Sequence, residues 1–355
     1  MKNFMSFSKS PLIFFAFLLF ATLMVAQTTH IVNNNPDVST NFTDLQAAID
    51  AANNGDILYV QHSPSSYGNV ELDKELTIIG RSHADVGYTT TITTLSLNGG
   101  ADNSVIKGCR INSVNRLGSG STIDNVSFND NSIGSFDLNN THNWTNFTIK
   151  GNVITGSVTI RSTMENVVIT NNLLLGAGFT FYEVESVFFS YNIIGYGTNY
   201  PINNFDSDDS QQLNISNSIF VLNSGANRTI SLNPNGTNTI QIDNCVTYNY
   251  GSGNYTFSGG DINGNVQENT NPNFTSVNSG TSSSLAGTGS NYDPLNDDLT
   301  LTDGPGLFGS EGLFEGYNFI NLGLPTGYPS VKILSHDPTI AKNGNLSVTI
   351  EAKTN

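Results

Sequence analysis

The sequence predicts an all-β chain wound as a right-handed parallel β-helix, with an N-terminal capping helix and a short C-terminal β extension. Three observations carry this. Apolar residues recur about every 20 to 22 positions through the central third, asparagines recur in the same register, and the composition is that of turn-rich β structure. In 355 residues there are 34 Gly and only 12% charged side chains.

In chain order, Lys2 and Lys9 precede an apolar run from Leu12 to Ala26. That run is too short to span a bilayer comfortably and reads as a signal peptide over 1–26, cleaved after Ala26. The expected mature protein is secreted or held at the cell surface, with no membrane insertion after cleavage. A capping box at Thr43 and Gln46 predicts a helix over 43–52, with Leu45, Ala48, Ile49 and Ala52 on one face and Gly55 as terminator. Ile57 to Val60, and then Leu76, Ile78 and Ile79 before Gly80, read as the first strands.

The repeat follows. Ile106, Phe128, Ile149, Ile169, Phe189, Ile215 and Ile242 align, at steps of 22, 21, 20, 20, 26 and 27. Two residues earlier lie Ser104, Val126, Phe147, Val167, Val187, Leu213 and Ile240; five later lie Ile111, Ile133, Ile154, Leu174, Ile194, Phe220 and Thr247. Positions two apart in a strand share a face, so the first two columns point inward from one strand, and the third belongs to the next. Between them stand Cys109, Asn131, Asn152, Asn172, Asn192, Ser218 and Cys245. Asparagine tolerates left-handed backbone angles at a bend and can bond its equivalent one coil away, which predicts an asparagine ladder at the corner.

Strands in quick succession, rich in Ile, Val and Phe, suit a parallel β-helix better than a leucine-rich repeat. The helical domain is set at 27–323, where residues 57 to 320 leave room for roughly 10 to 12 coils. The longer steps imply inserted loops, one holding DSDDS at 206–210. Cys109 and Cys245 fall about 29 Å apart along the axis, beyond the ~7 Å reach of a disulfide, and should be free thiols. Alternation at Ser330–Leu334 and Leu346–Ile350 around Asn343-Gly344 predicts a hairpin in a tail at 324–355. It either covers the last coil or begins a further domain.

Lys+Arg 13 against Asp+Glu 29 gives a net charge of −16, which leaves nothing to hold a phosphate backbone and excludes nucleic acid as an expected partner. Two cysteines without metal-ligand spacing exclude a disulfide scaffold and a structural zinc site.

FTDLQAAIDAANNGDILYV (42–60) and SPSSYGNVELDKELTIIG (63–80) resemble the opening of secreted bacterial β-helix proteins of the pectin-lyase-like superfamily. DDLTLTDGPGLFGSEG (297–312) resembles their last coil, and the run from LPTGYPS to the end at 355 resembles a tail found after it. The resemblance covers nearly all of the mature chain, but its motifs are architectural. It implies a helix plugging the first coil. Lyases of this kind use a Lys or Arg base, commonly with carboxylate-held Ca²⁺, and polygalacturonase-like members cluster aspartates beside a His. Neither pattern is intact: after Arg116 the coils offer only Lys150, Arg161 and Arg228 as cations.

One outward column reads Asp102, Asp124, Thr145, Glu165, Glu185, Gln211 and Asn238. Glu165 over Glu185, at roughly 5 Å, has the spacing of a retaining glycosidase pair; a lyase would instead use Arg161, near Glu165, as base or to neutralise a uronate. The plainer reading is solvated turn residues, with Arg161 an ordinary ion-pair partner. Asp206, Asp208 and Asp209 have the oxygen chemistry of a calcium loop, or are simply an exposed acidic loop; Ca²⁺ is the one cofactor the sequence suggests. Tyr182, Tyr191, Tyr196, Tyr200 and Trp144 are candidates to stack on sugar rings, whereas Phe179 and Phe181 alternate like core. The leading functional expectation is a noncatalytic surface or extracellular protein of adhesin type that binds polysaccharide or a surface glycan along one face. The rivals are a polysaccharide lyase or glycoside hydrolase acting on acidic glycans, and a purely structural stalk.

Overall fold

The computed structural model describes residues 27–36, 38–118, 122–139, 144–175, 178–195, 201–203, 212–232, 239–259, 261–262, 265–276, 292–302, 311–314, 317, 319–324, 329–336 and 344–354. It is a parallel β-solenoid. One sheet has eleven strands, from Thr29–Val32 through Asp56–Val60, Leu76–Gly80 and the repeat strands to Asp261–Ile262. A second sheet has fifteen strands. Its strand Ser132–Asn139 belongs to two strips, because Ser132 and Ile133 pair with Val153 and Ile154 while Phe136–Asn139 pair with Val158–Arg161. The chain turns a corner within one strand.

The predicted columns are the observed register. Ile106, Phe128, Ile149, Ile169, Phe189, Ile215 and Ile242 pair in unbroken succession on the eleven-stranded sheet. Ile111, Ile133, Ile154, Leu174, Ile194, Phe220 and Thr247 do so on the other. Both columns face inward and are buried. Phe128 packs edge-on to Phe136 at 5.1 Å, and Phe179 to Phe189 at 5.3 Å, so Phe179 and Phe181 are core as expected. Ser104, the one polar member of its column, is accommodated because its hydroxyl donates to the Lys74 carbonyl and accepts from the Leu76 amide.

The corner column is an asparagine ladder. Asn131, Asn152, Asn172 and Asn192 are fully buried. Each Oδ1 of Asn152, Asn172 and Asn192 accepts both the backbone N–H and the Nδ2 of the asparagine one coil before, at 2.9 to 3.1 Å. Every Nδ2 also donates to a carbonyl of an adjoining strand. Cys109 donates its amide into one end and Ser218 accepts at the other. One detail differs from expectation: the left-handed backbone lies one residue earlier, at Gly108, Asp130, Gly151, Asn171, Tyr191, Asn217 and Asn244. The ladder asparagines are chosen for their amides, and their neighbours make the bend. Cys109 and Cys245 are free and buried.

The one α-helix among the described residues is Leu45–Ala51, and it begins a residue later than the capping box implied. Asp44 is its N-cap, with its side chain accepting from the Ala47 amide. Gln46 instead serves the neighbouring strand, accepting the Glu71 amide at 2.7 Å and donating to the Glu71 carbonyl. Leu45, Ala48 and Ile49 join the main core, and Lys74 Nζ donates to the carbonyls of Ile49, Asp50 and Ala52 at the helix end. The signal peptide reading, 1–26, lies outside the described residues.

Toward the C-terminus the chain departs from the predicted last coil. Asp298–Leu301 pairs antiparallel with Phe274–Ser276, and the chain then returns along the corner toward its own beginning. Gly312 donates to the Asn217 carbonyl, Asn171 Nδ2 donates to the Leu313 carbonyl, Tyr317 Oη donates to Asp130, and Ser82 Oγ donates to the Leu322 carbonyl. These anchors descend six rungs, about 29 Å, over ten residues whose full extension is about 33 to 36 Å. This return strap is nearly taut.

It covers a second core. Leu173, Leu175, Ile193, Ile219, Val221 and Val246 point out of the second sheet and are buried by Phe274, Leu299, Leu313 and Phe319. Gly312 is required here, since its φ is +87° and a side chain would meet Ile219. The C-terminal hairpin forms, pairing Pro329–His336 with Val348–Thr354. It makes its own two-stranded sheet instead of extending the solenoid, and Leu346, Val348 and Ile350 are exposed.

Candidate functional site

The solenoid lays equivalent side chains in parallel files about 4.8 Å apart, so each outward column is a ready-made linear array. On the eleven-stranded sheet one such file runs Ser127, Thr148, Val168, Phe188, Asn214 and Gln241. Beside it run Lys107, Asn129, Lys150, Thr170, Ser190 and Ser216. The face is shallow and dominated by hydroxyls and amides. Ser190 Oγ donates to Thr170 Oγ1, and Ser127 Oγ to Asn129 Oδ1. Phe188 stands out of it, 45% exposed. Alternation explains why: Phe189 belongs to the inner column, so its neighbour faces solvent.

Where this face meets the strap, Asp130 and Tyr317 form a buried pair. Tyr317 Oη lies 2.9 and 2.8 Å from the two carboxylate oxygens, and Lys150 Nζ sits 3.9 Å from the centre of the Tyr317 ring. Burial raises Asp130 to about 6, against the opposing effects of the Tyr317 hydroxyl, Lys107 and Lys150. Gly151 leaves the room, because a Cβ there would fall 2.5 Å from Asp130 Oδ1 and 2.8 Å from the Tyr317 ring.

From Asp102 to Glu185 the outward column lies in successive coils, while Gln211 and Asn238 lie outside the described residues. Thr145 pairs with Asp124 on one side and Glu165 on the other, and Glu185 donates its amide to the Met164 carbonyl of the preceding coil. Glu165 and Glu185 are exposed neighbours. Asp102 and Asp124, however, are engaged in their turns. Asp102 Oδ1 accepts the Asp124 amide at 2.7 Å. Asp124 accepts from Thr145 Oγ1 and Asn146 Nδ2, which hold its carboxyl below the usual range. Just inside this column a second asparagine file, Asn103, Asn125, Asn146 and Asn166, adopts left-handed angles with φ between 54 and 57°.

Of the aromatic candidates, Trp144 is corrected by its burial. It is 1% exposed, paired in register with Ile123 and Met164, with its ring 5.7 Å from that of Phe147 and Arg116 above it at 5.0 Å. Its faces are not offered to a ligand. Tyr191 sits half-buried in the left-handed corner column at φ 56°. Tyr182 and Arg161 fall in paired strands, their backbones facing one another, and their side chains lie outside the described set. Tyr196, Tyr200, Asp206, Asp208 and Asp209 also lie outside the described residues. Among the described residues no three His, Cys, Asp or Glu converge on a cation position, and no helix is long and apolar enough to cross a membrane.

Phe188 and the strap were both missed by the sequence reading. For Phe188 the signal was its place beside Phe189. For the strap it was the unbroken apolar runs Leu173–Leu175 and Ile219–Leu222, buried on both faces where a one-sided strand would alternate. No family model, no curated protein and no solved structure matches this chain.

Proposed function

We propose that the protein is an exported, noncatalytic polysaccharide-binding protein of adhesin type, and that the open face of the eleven-stranded sheet is its binding surface. The observation that carries this is Phe188 rising beside Val168 from a file otherwise made of Ser, Thr, Asn and Gln. A pyranose packs its apolar face on an aromatic ring while its hydroxyls bond amides and hydroxyls alongside. The regular rung spacing suits an extended chain better than a single sugar. Lys107 and Lys150, two rungs apart with Asn129 between them, favour glycans that carry acidic groups. Membership of the pectin-lyase-like superfamily, export through the 1–26 segment, and retention at the surface belong to the same proposal, supported by the quoted motifs and the solenoid.

The test is binding of soluble neutral and acidic polysaccharides by the whole chain and by Phe188→Ala, with and without EDTA, while following release of reducing ends and unsaturated uronates. Retention that falls about tenfold in the variant, the effect of losing about 1.4 kcal/mol of ring contact, supports the reading. Product release by the whole chain overturns it in favour of a lyase or hydrolase, and unchanged binding by Phe188→Ala moves the site elsewhere.

A further inference from the structure

A cleft of 370 Å³ opens on the other side of the molecule, between the outer surface of the second sheet and two loops. Its floor includes Arg110, Ser132 and Val153, stacked in register. One wall is the loop holding His83 and Val86, and the other is the loop holding Tyr292 and Leu295. The walls come from opposite ends of the chain and are brought together by the strap, whose Ser82–Leu322 bond lies beside His83. This site is separate from the Phe188 face.

Three features of the cleft lack an internal explanation. His83 is 2% exposed, yet among the described residues neither ring nitrogen has a hydrogen-bond partner, and the buried Tyr292 hydroxyl has none either. Each such group destabilises the fold when left unmet. Arg110 is exposed at the floor and makes no ion pair among the described residues. Finally, Val86 and Leu295, 76% and 60% exposed, are the two most exposed large apolar side chains among the described residues, and both line this one cleft. A cation, unmet polar atoms within and apolar lips are complementary to a single kind of ligand.

We propose that this cleft binds a small carboxylate attached to an apolar body, the anion on Arg110 with Tyr292 and His83 as hydrogen-bonding groups, the body held between Val86 and Leu295. A guanidinium makes charge-assisted bonds to a carboxylate that are stronger than neutral ones. Asp293 also borders the cleft, but its carboxylate is occupied by its own loop, accepting the Leu295 amide at 3.0 Å and Asn296 Nδ2 at 2.7 Å. Two sources share the chemistry: a free aryl or branched-chain acid, and the terminal residue of a peptide.

Titration calorimetry of the whole chain with 3-phenylpropanoate, with its neutral amide and with a tripeptide ending in Phe tests this. The acid should bind about tenfold more tightly than the amide, and Arg110→Gln should abolish that discrimination. Tyr292→Phe should weaken the acid while raising the melting temperature of the unliganded protein, since it removes an unmet hydroxyl. A tripeptide that binds more tightly than the free acid identifies the peptide terminus as the source; the reverse order identifies the free acid. Equal affinity for acid and amide, no binding at millimolar concentrations, or a melting temperature lowered by Tyr292→Phe overturns the assignment. Because Phe188 lies on the opposite sheet, Phe188→Ala serves as the control that leaves this affinity unchanged.

Discussion

Asn146 and Asn152 lie six residues apart in one coil, and each stands in a file of asparagines, yet they solve different problems. Asn152 is buried, and its amide closes the hydrogen-bonding of three strands: it accepts two donors from Asn131 and donates to Asn172, Phe128 and Lys150. Asn146 is exposed and holds a left-handed backbone angle of 54°; its side chain donates to Asp124 and accepts from Asn166 Nδ2 at 3.3 Å, both bonds in contact with solvent. In the first file the side chain is needed, and in the second mainly the backbone conformation. Repetition of a residue is therefore not repetition of a role.

The sharpest way to break the comparison is to remove both amides. Asn152→Ala strands several buried groups at about 1 kcal/mol or more each, so the urea midpoint should report a loss of about 4 kcal/mol. Asn146→Ala adds only the cost of a Cβ in the left-handed region for a residue without a helpful amide, about 1 kcal/mol. Asn146→Gly should be close to neutral, whereas Asn152→Gly should be as harmful as alanine. Equal losses at the two sites would show that the buried ladder is not a special element.

The corner next to the ladder responds to pH. Asp130 is raised to about 6 from an ordinary 3.8, so the folded protein holds its proton more tightly than the unfolded chain. Its contribution is greatest below about pH 4 and is lost as pH rises through about 6, by roughly 3 kcal/mol for two pK units. His83, lowered to about 3 by burial and then by Arg110, acts oppositely, since stability is lost as pH falls below its unfolded 6.5. Urea midpoints across about pH 4 to 7 should reveal the Asp130 component as the difference between the parent protein and Asp130→Asn. A difference that does not vary with pH would contradict the buried carboxylate.

A smaller effect locates the bend. If the residue before each ladder position carries the left-handed angle, then Tyr191→Asn should raise stability by about 0.5 to 1 kcal/mol by relieving a bulky side chain at φ 56°. The smallest expected effect concerns the two thiols that share the ladder column. Burial pushes Cys109 and Cys245 up to about 12, so neither should react with an alkylating reagent until the coils open.

The columns were legible because the solenoid has one period, and period survives in sequence without any knowledge of distant partners. Ile106 to Ile242, the ladder and the unpaired thiols all follow from it. Trp144 departs from the expected sugar contact because register, not aromatic character, decides its place: Ile123, Met164 and Val184 share its column and are all apolar. Asp44 displaced Thr43 as the cap, a one-residue shift that the local pattern allows either way. The strap was illegible for a different reason. Tyr317 and Asp130 are 187 positions apart and Leu322 and Ser82 are 240 apart, and no repeat relates them. The cleft depends on the same non-repeating contacts, so His83 and Tyr292 could not be brought together by periodicity.

The taut return of residues 312–322 has a further consequence for how the chain is made. In a simple solenoid each winding is finished once the next is laid on it, and assembly can advance from the amino end as a zipper. Here Leu173, Ile193 and Ile219 wait for Leu313 and Phe319. The windings emerge from synthesis with one greasy flank uncovered, and a segment made well after them, holding Leu313 and Phe319, supplies the lid. A nascent product stopped near residue 270 should thus be stickier than one that extends past Phe319, and the added segment its cure.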